Sequence, residues 1–456
     1  MKAQERIAGY AVLTHQMVMQ PLSEVVRPTR PRVKPSDKPH LPFIGMEHIE
    51  AHTMRLLGTV SASTMKSSAV HFQPGDVLYG RLRPYLNKVY CPDFEGLCSA
   101  EFIVFPASEN LDGRYLQYFL NSSAFVKYAS HLNTGDRPRV DFDQLAPYPF
   151  PVAPFDQQKR IVAEIEKQFS RLDEAVANLK RVKANLKRYK AAILKAAVEG
   201  RLVETEAELA RREGRSYETG EQLLQRILET RRSQWQGKGK YKEPAVPDTT
   251  DLAELPEGWV WATLEQLCPT FVDSAHRTPK YGDIGHPALG PRDVVGGDLR
   301  LERARLVDDN EYAVQTKRHI PRPGDIVYSR ELSLGWGSVV PEDVTLCLSQ
   351  GMCLFRPDDG VVLSYFIYSL NGPEVRRQAT RGSIGSAHPH LNLGDIKAFV
   401  FSLPPQPEQH RIVAEVDRSL SILREVEAQV DANLQRAERL RQSVLAHMFN
   451  SSIGLA

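Results

Sequence analysis

From about Asp156 to Val198 apolar residues recur every seven positions, at Ile165, Leu172, Leu179, Leu186 and Ile193. A second such stretch runs from about Glu408 to Met448, with Val416, Leu423, Val430, Ala437 and Val444 in the same role. The two frames coincide. Ile165 and Val416 are 251 residues apart, and Arg160-Ile161-Val162-Ala163-Glu164 recurs at that offset as Arg411-Ile412-Val413-Ala414-Glu415. A heptad sustained this long predicts helices paired in a coiled coil. Each helix is expected to be about 60 Å long at ~1.5 Å per residue, a spacer holding two globular parts at a fixed distance. The second apolar row is less regular. In the first helix Val162, Phe169 and Val176 give way to Lys183 and Lys190, so the stripe is expected to drift to Val182 and Tyr189. In the second, Val413, Leu420, Leu434 and Met448 are interrupted by Glu427 and Arg441. The alternative is an amphipathic helix lying on its own domain; two copies in matching frame weigh against it.

The remaining sequence is organised around these helices. Residues 1–152 read as a mixed globular domain, with short β-type runs at Val77–Tyr79, Lys88–Tyr90 and Glu101–Phe105 between Pro and Gly punctuation. Tyr115 to Ala129 has helical spacing. A Pro-rich exit, Pro147 to Pro154, delays the first long helix (153–200), with Asp156 as the expected N-cap and Gly200 as the stop. Residues 201–255 form a charged linker that contains a short helix near Glu221 to Trp235. At Leu255-Pro256-Glu257-Gly258-Trp259 a second globular domain (256–404) begins, followed by the second long helix (405–456).

The second domain repeats the first. Pro74-Gly75-Asp76-Val77-Leu78-Tyr79 matches Pro323-Gly324-Asp325-Ile326-Val327-Tyr328, at an offset of 249. Phe43-Ile44-Gly45 matches Ala288-Leu289-Gly290, and Val140 to Leu145 matches Leu391 to Ile396. Between the anchors Arg81-Leu82-Arg83-Pro84-Tyr85-Leu86 faces the dissimilar Glu331-Leu332-Ser333-Leu334-Gly335-Trp336. A period this long is not a solenoid. It is a duplicated unit of globule then helix, and the expected fold class is α+β: two pseudo-repeated globular domains and two long antiparallel coiled-coil helices.

Composition narrows the function by exclusion. With 58 Lys and Arg against 56 Asp and Glu, overall charge does not announce a nucleic-acid binder, so any such role rests on local patches. Five cysteines without Cys-x-x-Cys spacing (Cys91, Cys98, Cys268, Cys347, Cys353) suggest buried thiols in a reducing compartment, not a disulfide frame or a zinc site. Met1 to Arg6 carry both charge signs and are not expected to be a signal peptide, and no run of ~18 apolar residues is available to span a bilayer. A cytoplasmic protein is expected.

The chemistry-bearing motifs are missing too. There is no phosphate loop of the Gly-x-x-x-x-Gly-Lys-Ser/Thr type. Gly335 and Gly337 lack the third glycine of a dinucleotide site, and Leu403-Pro404-Pro405 lacks the Asn or Asp of an amino-methyltransferase motif. Pro357-Asp358 with Asp395-Ile396-Lys397 imitates a nuclease set, but the first-repeat counterpart Asp143-Gln144-Leu145 has no lysine. His276, His286, His319, His388 and His390 show no metal spacing. The expectation is a protein that binds rather than catalyses, with no catalytic residues and no metal.

Local patches supply candidate nucleic-acid contacts. Arg30 and Arg32 lie in a Pro-stiffened basic segment suited to phosphates. Arg81 and Arg83 alternate along a strand-like run, with Asn87 and Lys88 close by; arginine to guanine and asparagine to adenine are the usual base-edge pairs. The Gly135 loop offers Arg137 and Arg139. In the second domain Arg277, Lys280, Arg292, Arg330, Arg381 and His388 are the counterparts by position or by loop. The first long helix is basic in its second half, from Lys180 to Lys195, as a phosphate-tracking edge, a face for an acidic partner or a solvated surface.

The order of these pieces resembles the specificity subunit of type I restriction–modification systems. The resemblance is carried by Pro154-Phe155-Asp156-Gln157-Gln158-Lys159-Arg160-Ile161, by Ile193 to Leu202, by Leu255 to Trp259, and by Pro404-Pro405-Gln406-Pro407-Glu408-Gln409-His410-Arg411-Ile412. It implies two target-recognition domains (1–152 and 256–404), each reading one half of a bipartite double-stranded DNA target. The helices would set the gap and dock two methyltransferase subunits, with two restriction (motor and nuclease) subunits joining the assembly. S-adenosylmethionine, ATP and magnesium would bind those partners, none of them this chain, and no membrane is involved. The other readings are a coiled-coil scaffold without DNA reading, a subunit of a methylation-only assembly, and a self-contained methyltransferase or nuclease.

Overall fold

The computed structural model describes residues 17–28, 31–133, 135–237, 239–250, 252–332, 334–381 and 390–449, with the backbone of Asn450. The chain forms two compact units. Unit 1 is Met1–Val182 with Gln429–Ala456, and unit 2 is Lys183–Ala428. Both long helices are therefore shared, which departs from the expected division into globules and separate spacers.

In unit 1 a three-stranded antiparallel sheet places Val77–Gly80 between Val89–Tyr90 and Phe102–Phe105. Val77–Gly80 and Phe102–Phe105 are buried at every position, as short continuous apolar runs predict. A five-stranded sheet pairs Pro42–Ile44 in parallel with Gly96–Ser99, Phe43 opposite Leu97 and Ile44 opposite Cys98. Val18–Pro21 pairs with Pro149–Val152, so the start of the described chain closes on the Pro-rich exit.

The single helix expected over Tyr115 to Ala129 is two, Gly113–Leu120 and Ser123–His131. Each has its own cap: Asp112 accepts from the Arg114 and Tyr115 N–H groups, and Ser122 accepts from the Phe125 N–H. Hydroxyl and carboxylate side chains favour such starts because they satisfy otherwise orphaned donors.

The long helices run Phe155–Val198 and Gln406–Asn450. The first begins at Phe155, so Asp156 lies in its first turn and not at the cap. Gly200 ends it in the left-handed region at φ 67°, where a Cβ would be strained, and the Arg201 N–H reaches back to the Ala196 carbonyl.

Each unit has the helices antiparallel. In unit 1 Ile161, Val162, Ile165 and Phe169 of the first helix share a core with Leu445, Met448 and Phe449 of the second. Arg441 pairs with Asp173 and stacks its guanidinium over the Phe169 ring. In unit 2 Ile193, Leu194 and Ala197 meet Ile412, Val416 and Leu420.

Burial follows the heptad unevenly. Ile165, Ile193, Val416 and Val430 are buried, whereas Leu172, Leu179, Leu186, Leu423 and Val444 are half-buried. The ends of the helices are thus domain core, as for an amphipathic helix lying on its own domain, and between them covered positions are few and fall mainly on the heptad rows. Val182 and Tyr189 do not carry the stripe; they are 40% and 61% exposed.

Unit 2 repeats the central strand pairings of unit 1. Val260–Thr263 pairs with Val400–Leu403, His286–Leu289 runs parallel to Cys347–Leu348 with Ala288 opposite Cys347, and Ile326–Ser329 lies antiparallel to both Gly337–Val339 and Met352–Arg356. Leu363–Leu370 and Pro373–Arg381 take the place of the paired helices. The Pro-Gly-Asp turns match in detail: Gly75 and Gly324 have φ 87° and 85°. Asp76 accepts from Gln73 N–H, and Asp325 accepts from Arg322 N–H.

The linker is a working part of unit 2. Its helix at Gly220–Ser233 buries Leu223, Leu224 and Ile227 in the main core with Leu264, Phe401 and Leu403. A second helix, Glu206–Glu213, which the sequence did not suggest, is held by a Thr205–Glu208 capping box.

Candidate nucleic-acid interface

The two units carry an equivalent pair of neighbouring loops. In unit 1 the loop after Val77–Gly80 is stitched to the loop before Phe142. The Arg81 N–H donates to Glu101 O, the Val140 N–H to Arg81 O and the Arg83 N–H to Pro138 O, with Leu82 bridged to Arg139. In unit 2 the Arg330 N–H donates to Gly351 O, the Leu391 N–H to Arg330 O, and Glu331 is bridged to His390. Arg81 is therefore the counterpart of Arg330, at an offset of 249, and the loop is shifted by one residue from the facing read in the sequence.

This equivalence changes the expected roles of both arginines. Arg330 is 6% exposed. Its guanidinium pairs with Asp273 at 2.7 Å, and its Nε–H donates to the Leu391 carbonyl. Arg81 is largely covered and pairs with Asp141. Each clasps the second loop to the sheet instead of reaching outward. Asn87 is a further correction: it is 2% exposed and sits at φ 44°, so it shapes the turn and presents nothing to a base edge. Arg83 does not continue a strand either. At φ 53° it is left-handed, and the expected alternation with Arg81 fails.

Other candidates remain at the surface. Arg32, Arg83, Arg137, Lys280, Arg292 and Arg381 are exposed. Arg139 is exposed and paired with Glu101, and Arg277 with Glu311. Lys88 is half-buried, its ammonium donating to the Met46 carbonyl. Arg30 and His388 lie outside the described residues. In unit 1 the structure brings Arg83, Arg137 and Arg139 onto one loop pair. Such a cluster can neutralise phosphates and, through bidentate contacts, distinguish bases.

Sequence reasoning missed Leu332, which stands at Arg83's place in unit 2. It is 59% exposed at φ 54°, a backbone state costing about 1–2 kcal/mol for a residue with a Cβ. The one signal was the repeat offset of 249, which leads from Arg83 to Leu332.

The remaining chemistry disperses into structural pairs. Lys397 pairs with Glu265, so the nuclease-like set does not assemble around it. His276, His286, His319 and His390 each lie against a carboxylate, respectively Asp273, Asp309, Asp325 and Glu331. Four of the five cysteines are buried, and Cys91 is partly so. Burial pushes the Cys91 and Cys347 thiols up to about 12. No described helix is long and apolar enough to cross a membrane.

The helix motifs that accompany each loop pair also have physical roles. The Gln158 side chain accepts from the Asp112 N–H at 2.9 Å and donates to the Ala153 carbonyl at 2.8 Å. Gln409 does the same with the Val362 N–H and the Pro404 carbonyl, at 2.8 and 3.0 Å. One glutamine thus fastens each long helix to its globule.

Clasp and surface arginines are separable by stability. Arg330→Ala is expected to destabilise unit 2 by about 3 kcal/mol, since among the described residues it leaves the nearly buried Asp273 carboxylate with only the exposed His276 as an ionic partner. Arg83→Ala is expected to stay within ~0.5 kcal/mol. Denaturant unfolding of the two variants checks this, and equal effects would refute the division of roles.

Comparison with known proteins agrees with this architecture. The family described as type I restriction modification DNA specificity domain matches residues 299–436. The EcoBI specificity subunit of Escherichia coli is 25% identical over 307 residues, 66% of this chain and 58% of that protein. The EcoDI specificity subunit of the same species is 27% identical over 171 residues, 37% and 38% of the two chains. The chain thus matches less than two thirds of the length of these relatives. Among solved structures, a chain described under complex assembly and conformational transition of the type I R-M system superposes with a TM-score of 0.67 at 20% identity, covering 95% of this chain and 97% of that one. The HsdS subunit from Thermoanaerobacter tengcongensis gives 0.55 at 21%, covering 95% and 96%. At such identities the likeness establishes the fold. Residues 299–436 match the type I restriction modification DNA specificity domain, and the chain is similar to the specificity subunits of type I restriction–modification systems.

Proposed function

We propose that this chain is the non-catalytic, DNA-reading subunit of a cytoplasmic type I restriction–modification complex, and that each unit reads one half of a bipartite duplex target. The observation that carries the reading is the repeated loop pair. Two units with corresponding central strand pairings present equivalent loops whose residues differ, Arg83 in one and Leu332 in the other, as two readers of different sequences require. Phosphate contacts from residues such as Arg137 fix the register, and base-edge contacts supply the specificity. The long helices set the unread gap and dock two methyltransferase subunits, which two restriction subunits join. S-adenosylmethionine, ATP and magnesium bind those partners, where methyl transfer and cleavage occur. Burial of the thiols supports a reducing compartment.

The test is to map methylated bases in cells expressing this chain with its partner methyltransferase, and to repeat it with residues 259–401 replaced by those of another such subunit. A gapped motif in which one half changes is the expected result. A change in both halves, or the lack of any gapped motif, would refute the two-reader assignment and favour a scaffold.

A further inference from the structure

We infer that Arg83 and Leu332 are a matched pair of specificity-determining residues, and that Leu332 reads the methyl group of a thymine. The inference rests on the proposed reading of the chain as a DNA-reading subunit and names the residues and base chemistry within it.

The two residues occupy one structural position. Each follows a residue bridged across the loop pair, Leu82 to Arg139 and Glu331 to His390. Each lies two residues beyond a covered clasp arginine, Arg81 or Arg330. Each is left-handed, at φ 53° and 54°, and among the described residues Leu332 is the only non-glycine of unit 2 at positive φ. Glycine would relieve the strain at both places, yet one holds arginine and the other leucine.

Leu332 is doubly unfavourable for the isolated fold. Its backbone is strained and its side chain is exposed, outside the apolar clusters that hold its neighbours Leu334 and Trp336. Neither cost is offset by packing, and strain that packing does not repay gathers at functional positions. The same geometry in unit 1 leaves Arg83 exposed beside Arg137 and Arg139, a basic surface suited to a polyanion.

The chemistry of the two side chains then divides their targets. A guanidinium at this position pairs with guanine O6 and N7 in the major groove. An aliphatic side chain has no donor or acceptor, and its base-specific contact there is the thymine 5-methyl group. The half-site read by unit 2 therefore holds a thymine under Leu332, and that read by unit 1 a guanine under Arg83.

The experiment maps methylation genome-wide in cells expressing the full chain, with its partner methyltransferase, as wild type, Leu332→Asn, Leu332→Gly and Arg83→Asn. Asparagine and glycine tolerate the left-handed backbone, so all three changes retain the turn; glycine removes the side-chain chemistry, and asparagine replaces it with a base-edge contact suited to adenine. Leu332→Gly is expected to lose discrimination at one A·T position of one half-site by roughly tenfold, Leu332→Asn to alter the preference at that same position, and Arg83→Asn to lose discrimination at one G·C position of the other half-site. An unchanged motif at undiminished methylation would overturn the inference and leave the two-reader function standing. A uniform fall across all targets would overturn it too, as the mark of phosphate contact. If the wild type itself gives no gapped motif, the proposed function fails and the inference with it.

Discussion

Phe449→Ala is expected to cost unit 1 about 3–5 kcal/mol, the usual range for deleting a fully buried aromatic ring. Phe449 comes from the far end of the chain, yet it is 1% exposed and lies edge-on to Tyr115 and Phe119, with ring centroids 5.3 and 5.6 Å away. Its loss opens a cavity between the second long helix and the paired helices of the first globule. All four tryptophans (Trp235, Trp259, Trp261 and Trp336) lie in unit 2, so their fluorescence does not report unit 1. The reporter is Cys98, a buried thiol of unit 1. Its labelling by a thiol reagent should become much faster in the variant and stay near wild type in Val182→Ala. Unchanged Cys98 protection would mean that the second helix is not part of this core.

Glu408→Ala is the counterpart in unit 2, with an expected loss of about 3 kcal/mol from two buried donors left without an acceptor. The Glu408 carboxylate is fully buried and accepts from the Trp259 indole N–H at 3.0 Å and from the Glu206 N–H at 2.8 Å. It joins the Leu-Pro-Glu-Gly-Trp segment and the helix at Glu206–Glu213 to the second long helix. Its neighbour Glu206 is paired with Arg215 and Arg411, each at 2.6 Å.

These two carboxyls give opposite pH dependences. Burial raises the Glu408 pKa, against the hydrogen bonds from Glu206 N–H and Trp259 and the charge of Arg411. A raised folded pKa means a contribution fully present below the ordinary carboxylate pKa and lost as pH rises through the folded value. For Glu206 burial also raises the pKa, but the hydrogen bonds and charges of Arg215 and Arg411 prevail and lower it. Its contribution is present above the ordinary pKa and lost as pH falls through the folded value. The stability gap to wild type should therefore narrow with rising pH for Glu408→Ala and with falling pH for Glu206→Gln. Tryptophan-detected unfolding across the acid range tests both, and parallel slopes would contradict the assignment.

Local periodicity explains why so much of the architecture is legible along the chain. The long helices were bounded to within a few residues because their apolar frame runs for many turns and Pro154 and Gly200 mark limits of the first. The strands at Val77–Gly80 and Phe102–Phe105 stand out as apolar runs between Gly and Pro. The repeat anchors at Phe43 and Ala288 proved to share one parallel pairing, to Leu97 and Cys347. In each case neighbouring residues contain the information, because helix and strand geometry impose short periods.

The site was less legible, since whether a charged side chain is a contact or a clasp depends on what lies across from it. Arg81 and Arg83 look alike in the sequence, but one meets Asp141 and the other projects from a left-handed turn. Asp273, which turns Arg330 inward, is 57 residues away from it in the chain. The helix at Gly220–Ser233 reads as linker because its polar face dominates the composition, while Leu223 and Ile227 find their partners only in the folded domain. The sequence by itself thus determined the duplication, the two long helices and the family resemblance. Only the tertiary structure decided which arginines face outward, that the helix ends are domain core, and that Arg83 and Leu332 are the same position. Periodicity is a property of adjacent residues, whereas burial and pairing are set by groups that folding alone brings together.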